Sequence, residues 1–174
     1  MPGHRHRSLP TRRSTLRRAV LPVAALLIAS GSLSACADGE MIVTVEHGPV
    51  PTPVYVDLGD TGPSAGDQRI FHFDGDHNGD PVTMDWIMTT TAVDAPAADV
   101  ETRTTSAVFA FGGLDDTLLL SGVGWYPSAE ATFEVSASLV RSIVGGTGRY
   151  EGMTGWVEST RLPDDTWTHV FHLR

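Results

Sequence analysis

The chain contains no lysine and only one cysteine, Cys36. The first absence excludes Schiff-base chemistry at a lysine. The second excludes an internal disulfide, so stability must come from core packing. No Gly-x-Ser-x-Gly elbow occurs, which leaves serine hydrolysis without support. Basic groups are few and unevenly placed. Arg5, Arg7, Arg12, Arg13, Arg17 and Arg18 lie in the first 35 positions, where no acid stands, leaving six basic against 21 acidic residues and a formal charge of −15 beyond that segment. A body so acidic is repelled by phosphate backbones, which disfavours nucleic acid as a partner. At 174 residues the chain holds one domain of ordinary size and a short extension.

Residues 1–18 are basic, residues 19–31 are apolar and small, and Leu33-Ser34-Ala35-Cys36 follows. The apolar run is shorter than the roughly 20 residues a membrane-spanning helix needs, so residues 1–35 read as a signal peptide. Leu33-Ser34-Ala35-Cys36 resembles the bacterial lipobox, which makes Cys36 the lipidated first residue of an exported surface lipoprotein. Thr11-Arg12-Arg13-Ser14-Thr15-Leu16-Arg17 resembles the twin-arginine export signal, with Thr15 where phenylalanine is usual; a basic leader for the general route explains it as well. Residues 36–52 then act partly as a tether, with 41–46 as an extra strand, and residues 53–174 form the folded body.

Beyond Cys36 the sequence alternates short β-rich runs with turn residues. The strand candidates are 41–46, 53–58, 69–74, 82–90, 100–111, 117–125, 132–144, 154–161 and 166–173. Turn signals such as Asp76-His77-Asn78-Gly79, Gly112-Gly113 and Pro163-Asp164-Asp165 separate them, no segment carries a helical period, and the spacing suits an antiparallel sandwich or barrel. Period-two alternation assigns faces. Phe133, Val135, Ala137, Leu139, Arg141 and Ile143 form one face of 132–144. Met84, Trp86 and Met88 share a face, as do Trp167, His169, Phe171 and Leu173. Such an interior either fills a core or lines an apolar cavity, and barrels of eight strands stand near the size where both occur.

The stretch Ser142-Ile143-Val144-Gly145-Gly146-Thr147-Gly148-Arg149-Tyr150-Glu151-Gly152-Met153-Thr154-Gly155 is the most specific in the chain. It resembles the strand–turn–strand signature of the allene oxide cyclase and dirigent superfamily. The Phe73–Asp80 hairpin and the closing strand Asp165–Phe171 resemble that family too, and the match spans about residues 53–173. The resemblance implies an all-β, eight-stranded antiparallel β-barrel with an apolar lumen. It also implies steering of cyclisation or coupling of hydrophobic substrates without a cofactor, as in bacterial polyketide cyclases that catalyse [4+2] cycloadditions, and a homodimer or homotrimer. The sequence departs from the plant cyclases: their first-strand glutamate has Asp57 as its nearest, offset counterpart, and their lumen cysteine falls near Ile87.

Several chemical signals resolve into structure. Gly146–Gly152 is not a nucleotide loop, because strand residues rather than a helix follow it. Asp74–Asp85 matches a calcium loop in donor spacing, but Asp85 stands where a bidentate Glu is usual, and a polar hairpin turn is the better account. His47, His72, His77, His169 and His172 lack zinc-site spacing. No metal is expected, and calcium-dependent adhesion through the 74–85 loop stands as a third possible function. The ionisable candidates are Arg141, His169 and Glu158, whose parity places them among apolar residues, together with Tyr126 at a strand end. Such groups must be paired, near a mouth, or functional. In the structural account Arg141 pairs with Glu158 or snorkels out.

The expected function is that of a cofactor-independent cyclase or isomerase holding a hydrophobic polyene or polyketide-like substrate in a near-attack fold. Tyr126, Arg141, Glu158 and His169 are the candidate catalytic groups, and Phe71, Met84, Trp86, Trp125, Trp156 and Trp167 the candidate substrate-binding ones. The rival is a non-enzymatic surface lipoprotein that carries a hydrophobic small molecule or serves as a scaffold. In both cases Cys36 is the membrane contact.

Overall fold

The computed structural model describes residues 39–128 and 131–174. The expected signal peptide and lipobox, with Cys36, lie outside the described residues. Nine strands run in order: β1 (Met41–His47), β2 (Val54–Val56), β3 (Gln68–His77), β4 (Asp80–Ala92), β5 (Val100–Phe111), β6 (Thr117–Pro127), β7 (Ser138–Gly146), β8 (Gly155–Arg161) and β9 (Trp167–Leu173). Eight of them form a closed antiparallel barrel in the order β1-β9-β8-β7-β6-β5-β4-β3, and β1 returns to β3 through Glu46 opposite Asp76. The short β2 adds to the outer edge of β3, with Val54 opposite Ile70.

Alternation builds this closure. Along β4, Val82, Met84, Trp86, Met88 and Thr90 are buried while Asp85 and Ile87 are exposed. β9 repeats the pattern with Trp167, His169, Phe171 and Leu173 inside. β3 and β4 are joined by a two-residue turn in which Asn78 and Gly79 both have positive φ, 56° and 92°, the geometry that matches hairpin twist. Asp74–Asp85, the calcium-loop candidate, is thus a continuous hairpin.

Two expectations need correction. Residues 41–47 are a full barrel strand paired with β9 over seven positions, so the folded body begins at residue 41 and not at 53. Val43 and Val45 enter the core, which is why this segment cannot serve as a free tether. The second correction concerns 132–144, where only the part from Ser138 onward is strand. Residues 131–137 leave the sheet: Val135 is exposed, Ser136 has φ 65°, and the Ser136 amide donates to the Arg161 carbonyl at 2.7 Å.

The interior is an aromatic column. Tyr150, from the short 3₁₀ turn Gly148–Tyr150, meets Phe111 at 4.9 Å between ring centroids, and Phe109 meets Phe171 edge to face, also at 4.9 Å. With Leu118, Leu120 and Leu173 these rings fill one end of the barrel. The other end is polar.

Candidate functional site

Strand register assembles a cluster at the open end. Ser159 of β8 and His169 of β9 are directly opposed, as are His47 of β1 and Trp167 of β9. The His47 and His169 imidazoles meet Nε2 to Nε2 at 3.0 Å, and His169 Nδ1 lies 2.8 Å from Ser159 Oγ. Arg141 reaches in from β7, the strand next to β8. Its Nη1 donates to Ser159 Oγ at 3.3 Å and its Nη2 to the Tyr126 hydroxyl at 2.8 Å, while the guanidinium carbon sits 4.9 Å from the centre of the Trp86 ring. The residue opposite the stem is Gly122, where an added Cβ would stand 2.8 Å from Arg141 Cγ. The glycine leaves the arginine its path.

Burial sets the protonation states here. Desolvation pulls the His47 pKa down to about 4 against a hydrogen bond to the Gly48 carbonyl. His169 falls well below the ordinary histidine value through desolvation first, then the nearby His47 and Arg141. Both imidazoles are neutral at pH 7. Among the described residues no carboxylate lies within ion-pair distance of Arg141, which is 1 % exposed.

A second buried cluster adjoins the first. Glu101 accepts from both guanidinium ends of Arg69, at 3.2 and 3.3 Å, from Arg103 Nε at 3.0 Å and from Thr90 Oγ1 at 2.7 Å. Desolvation raises the Glu101 pKa, and these bonds and charges together carry it below its usual value. Arg103 also donates to the carbonyls of Ala131 and Pro127, and Arg161 Nη1 donates to the Phe133 carbonyl at 2.9 Å. Two arginines therefore fasten the 131–137 segment over the mouth. Phe133 drops from it onto Trp167, with ring centroids 4.8 Å apart.

Between these groups lies an apolar cavity walled by Phe71, Trp86, Trp167, Phe133, Arg141 and His169, among others. About 20 Å³ of it is open to the centre of a water-sized sphere, little more than the roughly 10–15 Å³ that one water requires. The lumen is thus nearly filled, with Phe133 among the side chains that line it.

The structure brings Arg141, His169, Phe71, Trp86 and Trp167 to one cavity. Tyr126 is fully buried behind Arg141 and does not line the cavity. Its hydroxyl is engaged by the guanidinium. Met84 is also fully buried and outside the lining. Trp125, Trp156 and Glu158 are corrections. Trp125 is 65 % exposed, Trp156 stacks on His172 at 3.7 Å on the outer surface, and Glu158 opposes Val140 and Val170 on that same face, away from Arg141. The inward residues of β8 are Val157 and Ser159. His47 and the Arg69–Glu101–Arg103 triad escaped the reading from sequence. Extending the Val43, Val45 alternation by one step, the Phe111, Phe109, Ala107 alternation back to Glu101, and the Phe73, Phe71 alternation back to Arg69 would have found them.

No family model matches the chain, and no curated protein matches it. Solved structures do. A pyocyanin demethylase superposes with a TM-score of 0.56 at 19% identity, over 78% of this chain and 100% of that one. A pterocarpan synthase dirigent protein gives 0.51 at 14% identity, over 78% and 86%. The closed eight-stranded antiparallel barrel is therefore a fold this chain has in common with solved structures that include a dirigent protein. At these identities the likeness is one of fold.

Proposed function

We propose that this barrel is a cofactor-independent isomerase or cyclase for a hydrophobic, polyene or polyketide-like substrate bearing a carbonyl. The observation that carries the reading is Arg141, a buried guanidinium facing an aromatic cavity with only neutral partners. A fixed cation in a water-poor cavity stabilises negative charge developing on a substrate oxygen without reorganising as the reaction proceeds. Trp86, Trp167 and Phe71 would hold the apolar chain in a reactive fold. Tyr126 and Ser159 aim the guanidinium, and His169 stays neutral beside it. Entry requires lining side chains such as Phe133 to move. The two similar structures, a demethylase of pyocyanin and a pterocarpan synthase, are consistent with small-molecule chemistry in such a lumen.

We further propose that the protein is exported and anchored through a lipid on Cys36. That residue stands five positions before Met41, where β1 begins. The second reading is a surface lipoprotein that carries a hydrophobic ligand or serves as a scaffold, and the small volume of the cavity favours the scaffold.

Ring closure and isomerisation conserve mass, which gives a direct test. The protein is incubated with a small-molecule extract of its source cells and the mixture is resolved by chromatography and mass spectrometry. The enzyme reading expects a new retention time at unchanged mass, lost in Arg141→Gln and in Trp86→Ala. A compound that binds and is recovered unconverted supports the carrier instead.

A further inference from the structure

We propose that the ligand of the lumen carries an anionic oxygen, a carboxylate, phenolate or enolate, that supplies the missing counter-ion of Arg141. The inference rests on the reading of the lumen as a binding site and deepens it to a ligand class.

Three observations converge. First, the protein pairs its neighbouring buried cations with acid: Arg69 and Arg103 both bind Glu101. Arg141 has only a phenol, a serine hydroxyl and an indole face. Indole and hydroxyl groups soften the burial of a charge and do not neutralise it.

Second, the cavity offers donors and few acceptors. Arg141 Nε, Trp86 Nε1 and Trp167 Nε1 are buried without a hydrogen-bond partner, and all three residues line the same cavity. The remaining buried side-chain atoms without a partner, Thr105 Oγ1 and Ser128 Oγ, belong to residues outside that lining. The ring nitrogens of the two histidines are engaged with each other, with Gly48 and with Ser159. Three unpaired N–H groups on residues of one cavity wall suit a ligand atom that accepts, because a buried donor without a partner is a standing penalty. A trapped water could satisfy N–H groups, but it would leave the charge of Arg141 uncompensated.

Third, the rest of the wall, Phe71, Phe73, Met88 and Phe133, selects an apolar body behind that oxygen. The ligand is thus amphiphilic, with one anionic end.

The test uses benzoate and its neutral isostere benzamide, titrated into the protein by calorimetry and scored in parallel by the shift in Tm. It is run on the wild-type chain and on Phe133→Ala, which removes one ring of the cavity lining. We expect benzoate to bind at least tenfold more tightly than benzamide and to raise Tm, with this preference lost in Arg141→Met. The comparison of the two probes on wild type stands even if that last variant does not fold. If benzamide binds as well as benzoate, the anionic assignment falls and the lumen survives as a binding site. If neither probe binds even Phe133→Ala, the lumen reading falls with it.

Discussion

His47 and His169 share one hydrogen bond, Nε2 to Nε2 at 3.0 Å, and this single contact fixes both tautomers. Gly48 O can only accept, so His47 carries its proton on Nδ1, 2.6 Å away, and its Nε2 must accept. His169 therefore donates from Nε2, and its Nδ1 accepts from the Ser159 hydroxyl. A proton added to His47 would force His169 to turn its own proton toward Ser159 Oγ, and a charge on His169 would be repelled by Arg141. Neutral imidazoles are a condition of the fold here.

That condition predicts the acid limb of the stability curve. Both histidines have folded-state pKa values below the unfolded 6.5, so the unfolded chain binds more protons and stability falls as pH drops from about 6.5 toward 4. Each contributes a slope of up to about 1.4 kcal/mol per pH unit. The depressed carboxylates act lower. Asp67, held at about 2 by Tyr55, Leu58 and Ser64 against the desolvation that would raise it, loses its contribution only below pH 4. The exposed His72–Asp85 pair works in the opposite direction, because its raised histidine pKa favours folding at lower pH. Urea denaturation between pH 7 and 4.5 should show the loss, and His169→Phe should remove about half the slope. An unchanged slope in that variant would refute the assignment.

Glu101→Gln should destabilise the barrel strongly. It removes the carboxylate that Arg69 and Arg103 share, and removing one partner of a buried ion pair costs about 3–5 kcal/mol. Arg103 also holds the Pro127 and Ala131 carbonyls, so the loss should include faster amide exchange in 131–137. Hydrogen exchange and thermal unfolding together check both parts.

How far the sequence carried the fold depended on whether inward positions bear side chains. β4 and β9 were legible because Met84, Trp86 and Met88, or Trp167, His169 and Phe171, fill every second place. β6 misled because its inward positions 122 and 124 are glycines. That left Val123 and Trp125 as its conspicuous apolar pair, although both are exposed. On β8 the inward residues are the modest Val157 and Ser159, and the large Trp156 and Glu158 drew the wrong parity. The 131–137 segment kept an alternating pattern while leaving the sheet, because Phe133 stays inside against Trp167. Pairing of Arg141 with neutral groups only could not be read from spacing at all.

The glycine signature 145–155 makes a sharper prediction. Gly155 has φ +141°, and a Cβ there would collide with the His172 carbonyl oxygen across the β8–β9 ladder. Gly155→Ala should therefore cost at least about 1–3 kcal/mol. Gly145, with open space around it and no positive φ, serves as control, and Gly145→Ala should stay within about 0.5 kcal/mol. Equal effects of the two substitutions in chemical denaturation would contradict the packing described.

The tryptophans separate the inner from the outer surface. Trp86 and Trp167 are 5 % and 4 % exposed, whereas Trp125 is 65 % exposed. Truncating a buried Trp removes its contacts and opens a cavity, at about 3–5 kcal/mol, while an exposed one away from any network stays within about 0.5 kcal/mol. Trp86→Ala should fall at the upper end, because it also strips the indole face from Arg141 and the ring contacts to Phe109 and His169. Thermal unfolding of the three alanine variants orders them: Trp86 and Trp167 strongly destabilised, Trp125 near wild type. A large loss from Trp125→Ala would mean that this exposed ring is covered by a second molecule, and a dependence of that loss on protein concentration would identify the cover as another copy of the chain.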